Sequence, residues 1–185
     1  MKIENSLDLS IPPEEAWHLL LDIPFVAPCL PGAELTKVID ERTFEGLVRL
    51  KLGPISLSFK GSAVIEEVDP ATKSVIVSAK GREERGRGSA HATINFHIGE
   101  AAGNTRVTVV TDLNLAGSIV QYARGVGIVT KTAQQLVDQF AERLTARLES
   151  GETPDAEAIK VGSILWKGLK AGLSKDKKPS PDKAE

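Results

Sequence analysis

Between residues 33 and 117 the chain alternates apolar and polar positions with a period of two, and the breaks are too short for anything but turns. Phe44, Gly46, Val48, Leu50 and Leu52 share one face, opposite Glu45, Arg49 and Lys51. Ile55, Leu57, Phe59, Ala63 and Ile65 alternate with Ser56, Ser58, Lys60 and Ser62, and Val75, Val77 and Ala79 follow. Ala90, Ala92, Ile94, Phe96 and Ile98 alternate with His91, Thr93, Asn95 and His97. Val107, Val109, Leu113 and Leu115 alternate with Arg106, Thr108, Asp112 and Asn114. A period of two is the signature of half-buried strands. Gly53-Pro54, Asp69-Pro70-Ala71-Thr72 and residues 99–104 supply the turns. No room is left for crossover helices, so the sheet has to be antiparallel, with one face wet and the other covered.

The flanking segments supply the cover. Ile3, Leu7 and Leu9 have strand spacing, and Ser10-Ile11-Pro12-Pro13-Glu14-Glu15 reads as a helix start. That helix carries Ala16, Trp17, Leu20 and Leu21; Pro24 is expected to stop it, and a second short helix over residues 25–30 to end at Pro31-Gly32. After the strands, Val126, Val129, Ala133, Leu136, Val137, Phe140, Leu144 and Leu148 recur at three- and four-residue intervals, one face of a long amphipathic helix. Gly125 and Gly127 each cost a helix roughly 1 kcal/mol, which suits close approach of either a ligand or the sheet. The expected fold is α+β: a curved antiparallel sheet of about seven strands around a long C-terminal helix, with two short helices between strands 1 and 2, all within residues 1–150. Aromatic residues make up only 4% of the chain, so aliphatic side chains must fill the core.

Residues 151–185 are different in kind. A linker with a proline leads to a second amphipathic stretch over residues 156–173, and residues 174–185 have the composition of a disordered tail. On a helical wheel Ala158, Ile159, Val161, Leu165, Trp166, Leu169 and Leu173 cover one side, while Lys160, Ser163, Lys167 and Lys170 gather on the other, with Ile164 as an exception among them. Residues 160–185 hold 7 lysines and 3 acids, whereas residues 1–159 hold 16 basic and 22 acidic residues. A basic Trp-Leu helix on an acidic body suits an anionic membrane surface, and docking on the chain's own domain or on a partner is the competing reading. The chain turns polar straight after Met1, and it has no apolar run of the ~20 residues a spanning helix needs. The expected location is the cytoplasm, with peripheral contact at the inner face of the cell membrane.

Catalytic and nucleic-acid chemistry find little support. His91 and His97 lie about 20 Å apart along one strand, and His18 is on another element. Metal sites need three or four converging ligands. Cys29 is the one cysteine and sits in an apolar, proline-flanked stretch that favours a buried, inert thiol. Glu14-Glu15, Glu66-Glu67 and Glu83-Glu84 fall on a helix start and strand ends, where charged rims are expected. The charged run from Arg82 to Gly88 reads as a solvated hairpin or a docking surface; its interrupting acids and lack of aromatic platforms argue against nucleic acid.

Several motifs resemble the CoxG family, named for the G component of carbon monoxide dehydrogenase, within the helix-grip superfamily of lipid-transfer-like and polyketide-cyclase-like proteins. They are Cys29-Leu30-Pro31-Gly32, Lys51-Leu52-Gly53-Pro54-Ile55, Phe59-Lys60-Gly61, the Gly86, Gly88 and Ala92 strand, and Thr111-Asp112 with Gly117. The resemblance implies a helix-grip fold around a hydrophobic cavity. It also implies a non-catalytic accessory role beside a molybdenum hydroxylase of the carbon monoxide dehydrogenase type, bringing enzyme and membrane together.

Small inward residues fit such a cavity: Gly46, Gly61, Ala63, Ala79, Ala90 and Ala92 leave room, unless the helix simply packs tightly on them. The expected ligand contacts are Phe25, Val48, Leu57, Phe59, Gly61, Ala63, Ala92, Ile94, Phe96, Val109, Leu113, Tyr122, Val126, Val129 and Ala133, with Phe25 and Tyr122 near the mouth. The expected cargo is a hydrophobic small molecule, a quinone (menaquinone or ubiquinone) or a similar isoprenoid lipid. The expected membrane contacts are Ile159, Lys160, Leu165, Trp166, Lys167, Leu169, Lys170 and Leu173. Two rivals remain: a recruitment adaptor without ligand, and a cyclase- or hydrolase-like enzyme, for which Asn5 is the main inward polar group.

Overall fold

The computed structural model describes residues 1–52, 55–123 and 126–151. The second amphipathic stretch, with every residue expected to touch a membrane, lies outside the described residues. The elements are β1 (Lys2–Leu9), α1 (Pro13–Leu20), α2 (Ile23–Val26), a 3-10 turn (Ala27–Cys29), β2 (Ala33–Val38), β3 (Thr43–Leu52), β4 (Ile55–Asp69), β5 (Ser74–Glu83), β6 (Gly88–Ala101), β7 (Asn104–Gly117), α3 (Ile119–Tyr122) and α4 (Val126–Glu149). All neighbouring strands are antiparallel, in the order β1-β7-β6-β5-β4-β3-β2. This is the seven-stranded α+β architecture expected from the alternation. One local expectation is corrected. Pro24 opens α2 instead of ending α1, because Asp22 caps that helix by accepting a hydrogen bond from the Phe25 amide at 3.1 Å. Proline suits a first turn, where its missing N–H has no helical partner anyway.

The C-terminal half of α4 anchors the fold. Phe140 and Leu144 are buried in a cluster with Leu7, Leu9, Trp17, Phe25, Phe44, Ile65, Val75, Ile98, Val107 and Val109. Two polar links hold the helix in register. The buried Asn5 of β1 donates through Nδ2 to Gln134 Oε1 at 2.7 Å, and Gln134 Nε2 donates to Asp138 at 2.7 Å. Arg147 Nη1 donates to the Phe25 carbonyl at 2.9 Å, and its guanidinium lies 4.3 Å over the Phe25 ring. Ahead of α1 the buried Thr105 hydroxyl donates to the Ile11 carbonyl at 2.7 Å, fixing the loop that brings Trp17 into the core.

A second, smaller cluster joins Ile3, Leu52, Leu57, Ile119, Ala123 and Val129 near the start of α4. Thus α4, about 36 Å long by helix rise, is held at both ends by different sets of side chains.

Replacing Leu144, which has no exposed surface, by alanine is expected to cost about 2–5 kcal/mol in urea unfolding. Leu136→Ala is expected to cost less than Leu144→Ala. Leu136 borders open volume and has fewer close neighbours to lose.

Candidate functional site: an apolar cavity

The register of the sheet brings its small residues together. Ala63 pairs with Ala79, and Ala79 with Ala92. One row along, Gly46 pairs with Gly61, Gly61 with Gly81, and Gly81 with Ala90. Two adjacent rows therefore carry nothing larger than a methyl group on the inner face, one across three strands and the other across four. Gly61 is also demanded by the backbone itself: a Cβ there would overlap the Lys80 carbonyl and come within 2.7 Å of the Gly81 Cα.

Above this floor runs the N-terminal half of α4, contributing Val129, Thr132, Ala133 and Leu136. Between floor and helix lies a cavity of about 490 Å³, within the roughly 300–1,000 Å³ usual for small-molecule pockets. The main core closes one end and the Ile3–Leu57–Ile119 cluster borders the other. Leu30 and Val48 edge the cavity while remaining 44% and 38% exposed, so its rim carries apolar surface into solvent.

Ten of the residues expected at a ligand line this cavity: Val48, Leu57, Phe59, Gly61, Ala63, Ala92, Ile94, Leu113, Val129 and Ala133. Four do not. Phe25 is buried beneath Arg147 in the main core. Phe96 and Val109 pair with each other one row beyond Ile94 and Thr111, where the core has taken up the space. Tyr122 stays 39% exposed, because α3 turns Ile119 inward in its place. Val126 begins α4, and its side chain lies outside the described residues.

Sequence reasoning did not place Thr132 and Leu136 at the cavity, although they follow Val129 at helical spacing, nor Thr111, which completes the alternation from Val109 to Leu113. Glu34, Glu45, Ser62 and Lys80 also border the cavity, but Ser62 stands in register with Glu45 and Lys80, all four alternate with inward residues, and the three charged ones are exposed. Their charges therefore lie on the outer face of the sheet.

The charged hairpin between β5 and β6 is not simply solvated. Glu84, Arg85 and Gly86 are exposed, but the Glu83 side chain is completely buried. It accepts from Arg87 Nη2 at 2.7 Å and from the backbone N–H groups of Arg85 and Arg87 at 2.9 and 3.2 Å. The same guanidinium donates to the Ser56 carbonyl at 2.6 Å. The Arg87 carbonyl in turn accepts from the Ile119 amide at 3.0 Å and the Ser118 hydroxyl at 2.9 Å. The ion pair of buried Glu83 with partly exposed Arg87 thus fixes the backbone to which α3, and with it Ile119, is hydrogen-bonded at the end of the cavity. A run of alternating charges looks like surface in one dimension, and only the fold shows that Glu83 points inward.

Among the described residues no three His, Cys, Asp or Glu side chains converge as a metal site would require. His18, His91 and His97 are all exposed, and Cys29 is buried. No helix of the described residues is long and apolar enough to cross a membrane.

A seven-stranded antiparallel sheet carrying a long C-terminal helix over an apolar cavity defines a helix-grip protein. Solved structures agree on the fold. A conserved protein from Geobacillus kaustophilus aligns with a TM-score of 0.70 at 16% identity, over 83% of this chain and 98% of its own. TTHA0849 from Thermus thermophilus aligns at 0.56 and 14% identity, over 79% and 98%. Ms6760 from Mycobacterium smegmatis aligns at 0.56 and 16% identity, over 82% and 92%. Among curated proteins none matches the sequence. The chain belongs to the CoxG family, the G-subunit family of carbon monoxide dehydrogenase, whose model matches residues 6–149.

The Glu83 clasp has a pH signature. Hydrogen bonding from Arg87 is the main cause that lowers its carboxyl from the ordinary 4.5 to about 2, with the two backbone N–H groups adding to it against the effect of burial. A depressed folded-state value means that the ionised form favours folding. Its contribution is complete above about 4.5 and is lost as the pH falls towards about 2. Urea midpoints between pH 5 and pH 2 are therefore expected to fall less steeply in Glu83→Gln than in the parent, with the variant weaker at pH 7.

Proposed function

We propose that this chain is a non-catalytic accessory protein of a carbon monoxide dehydrogenase-type molybdenum hydroxylase. In this reading it holds a quinone or similar isoprenoid lipid in its cavity and links the enzyme to the membrane that contains the quinone pool. The observation that carries the reading is the 490 Å³ apolar cavity, built over two rows of alanine and glycine in a member of the CoxG family. Electrons leaving such an enzyme need an acceptor that dissolves in lipid, and an apolar cavity shields that acceptor from water. Side chains that face the cavity from the sheet are aliphatic, aromatic or absent apart from Thr111, a lining suited to binding and poor in groups for acid–base chemistry.

Two features support the membrane link. The exposed apolar side chains of Leu30 and Val48 at the rim would meet the apolar part of a bilayer. The Trp- and Lys-bearing stretch over residues 156–173 would add attraction to an anionic surface, about 1 kcal/mol per lysine near it. The acidic body, net −6 over residues 1–159, leaves a surface for the enzyme.

Native mass spectrometry of gently purified protein is expected to show a bound lipid in the quinone mass range. Ala92→Leu, placed in the middle of the floor, is expected to abolish that lipid while changing stability by no more than about 1–3 kcal/mol. A protein that is empty in every preparation, or that works equally well after the Ala92→Leu substitution, would favour a recruitment adaptor without cargo.

Removing residues 156–185 is expected to leave the urea midpoint unchanged and to abolish flotation with vesicles containing 30% anionic lipid, a composition chosen on the order of the anionic content of a cytoplasmic leaflet. Full-length flotation should weaken as salt is raised. Salt-insensitive flotation of the truncated protein would assign membrane contact to the rim instead.

A further inference from the structure

We infer that the cavity selects a neutral lipid whose head group carries a carbonyl, and that the hydroxyls of Thr111 and Thr132 bind that carbonyl. The inference rests on the lipid-carrier reading and assigns the chemistry of its head-group site. Across the inner face of the sheet the cavity meets Ile3, Ile94, Val48, leucines, alanines, glycines and two aromatics, and Thr111 is the one polar side chain of inward register among the described residues, Ser62 being in register with the outward Glu45 and Lys80. In register Thr111 lies between Ile3 on β1 and Ile94 on β6. Thr132 faces the same cavity from α4, one turn on from Val129 and beside Ala133 and Leu136.

Neither hydroxyl has a side-chain hydrogen bond among the described residues. Valine has the same shape as threonine without the hydroxyl, so packing alone has no use for oxygen at these positions. Both residues are partly buried, and an acceptor on a ligand seated against either hydroxyl would supply the hydrogen bond that the protein does not. Threonine offers one O–H donor, which suits a carbonyl oxygen.

Charge decides against the other common lipid heads. Among the described residues Lys80 is the one cationic residue bordering the cavity, and alternation places its exposed side chain on the opposite face of the sheet. A carboxylate or phosphate would enter with no countercharge, and an unpaired buried anion is strongly disfavoured. Position sets the orientation. Thr111 stands in the row between Ile94, packed on the main core, and Ile3 of the second cluster, whereas Val48 at the rim lies three rows away, about 20 Å by strand rise. The head group therefore sits at the inner end, and the apolar chain runs over the alanine–glycine floor towards Leu30 and Val48.

The test uses the full chain and three probes presented in detergent micelles: decylubiquinone as a neutral carbonyl lipid, oleate as an anionic one, and pristane as a hydrocarbon. Binding is read by native mass spectrometry titration in the parent, Thr111→Val, Thr132→Val, the double Val variant and a double Ser variant. Each lost hydroxyl is expected to weaken decylubiquinone by about 2- to 12-fold, to leave pristane unchanged, and to be rescued by Ser. Oleate is expected to bind the parent roughly tenfold or more weaker than decylubiquinone. Equal decylubiquinone affinity in the parent and the double Val variant would overturn the head-group assignment while leaving the carrier reading intact, as would oleate binding as tightly as the quinone. Failure of the parent to bind any probe, with an unchanged urea midpoint, would overturn the carrier reading and this inference together.

Discussion

Phe140 and Leu144, set among Leu7, Leu9 and Trp17, determine how far α4 stands from the sheet. A helix of this length behaves as a bar, so the stand-off imposed by bulky side chains at one end is carried along to the other. There the sheet presents Ala63, Ala79, Ala92, Gly46, Gly61, Gly81 and Ala90. The gap between bar and floor is the cavity. An ordinary core would collapse onto missing side chains, since voids forfeit dispersion contacts. This one is kept open because the second cluster, around Ile3, Leu57 and Ile119, supports the helix again beyond the floor.

The glycine at position 61 shows that the floor is more than a set of small side chains. Its hydrogen faces the Lys80 carbonyl at a distance no Cβ would tolerate. Strands β4 and β5 approach closely there, so the lack of a side chain is written into the backbone geometry. The same economy recurs at Gly32. It adopts a positive φ of 75°, its carbonyl accepts from the Arg49 amide at 2.8 Å, and a Cβ would overlap the Arg49 carbonyl. That clamp fixes the strand β2 entrance and holds Leu30 at the rim.

Much of this was legible in one dimension, because strand alternation and helical spacing each report which face is covered. The seven strands, their antiparallel pairing and the long helix follow from those periods and from turns too short for crossovers. What alternation cannot report is where along a strand the core ends and open space begins. Phe96 and Val109 share the inward face with Ile94 and Leu113, yet lie on the filled side of that boundary. Phe25 carries the chemistry of a ligand contact but is taken by the Arg147 guanidinium, 122 positions away in sequence. Glu83 is the reverse case. Its neighbours Arg82, Glu84 and Arg85 advertise solvent, and its burial depends on Arg87 folding back across the hairpin.

Strand β2 explains why the open side of the cavity does not become a site for strand addition. It is an edge, and edges with unpaired backbone invite further strands. Here the edge is only six residues long, is broken by an irregularity between Leu35 and Lys37, and exposes Glu34 and Lys37. Each of these discourages a continuous ladder. Apolar surface at the rim is consequently confined to side chains such as Leu30 and Val48, beside an edge that resists pairing. A surface of that kind discourages an incoming strand and is compatible with the bilayer contact proposed for this chain.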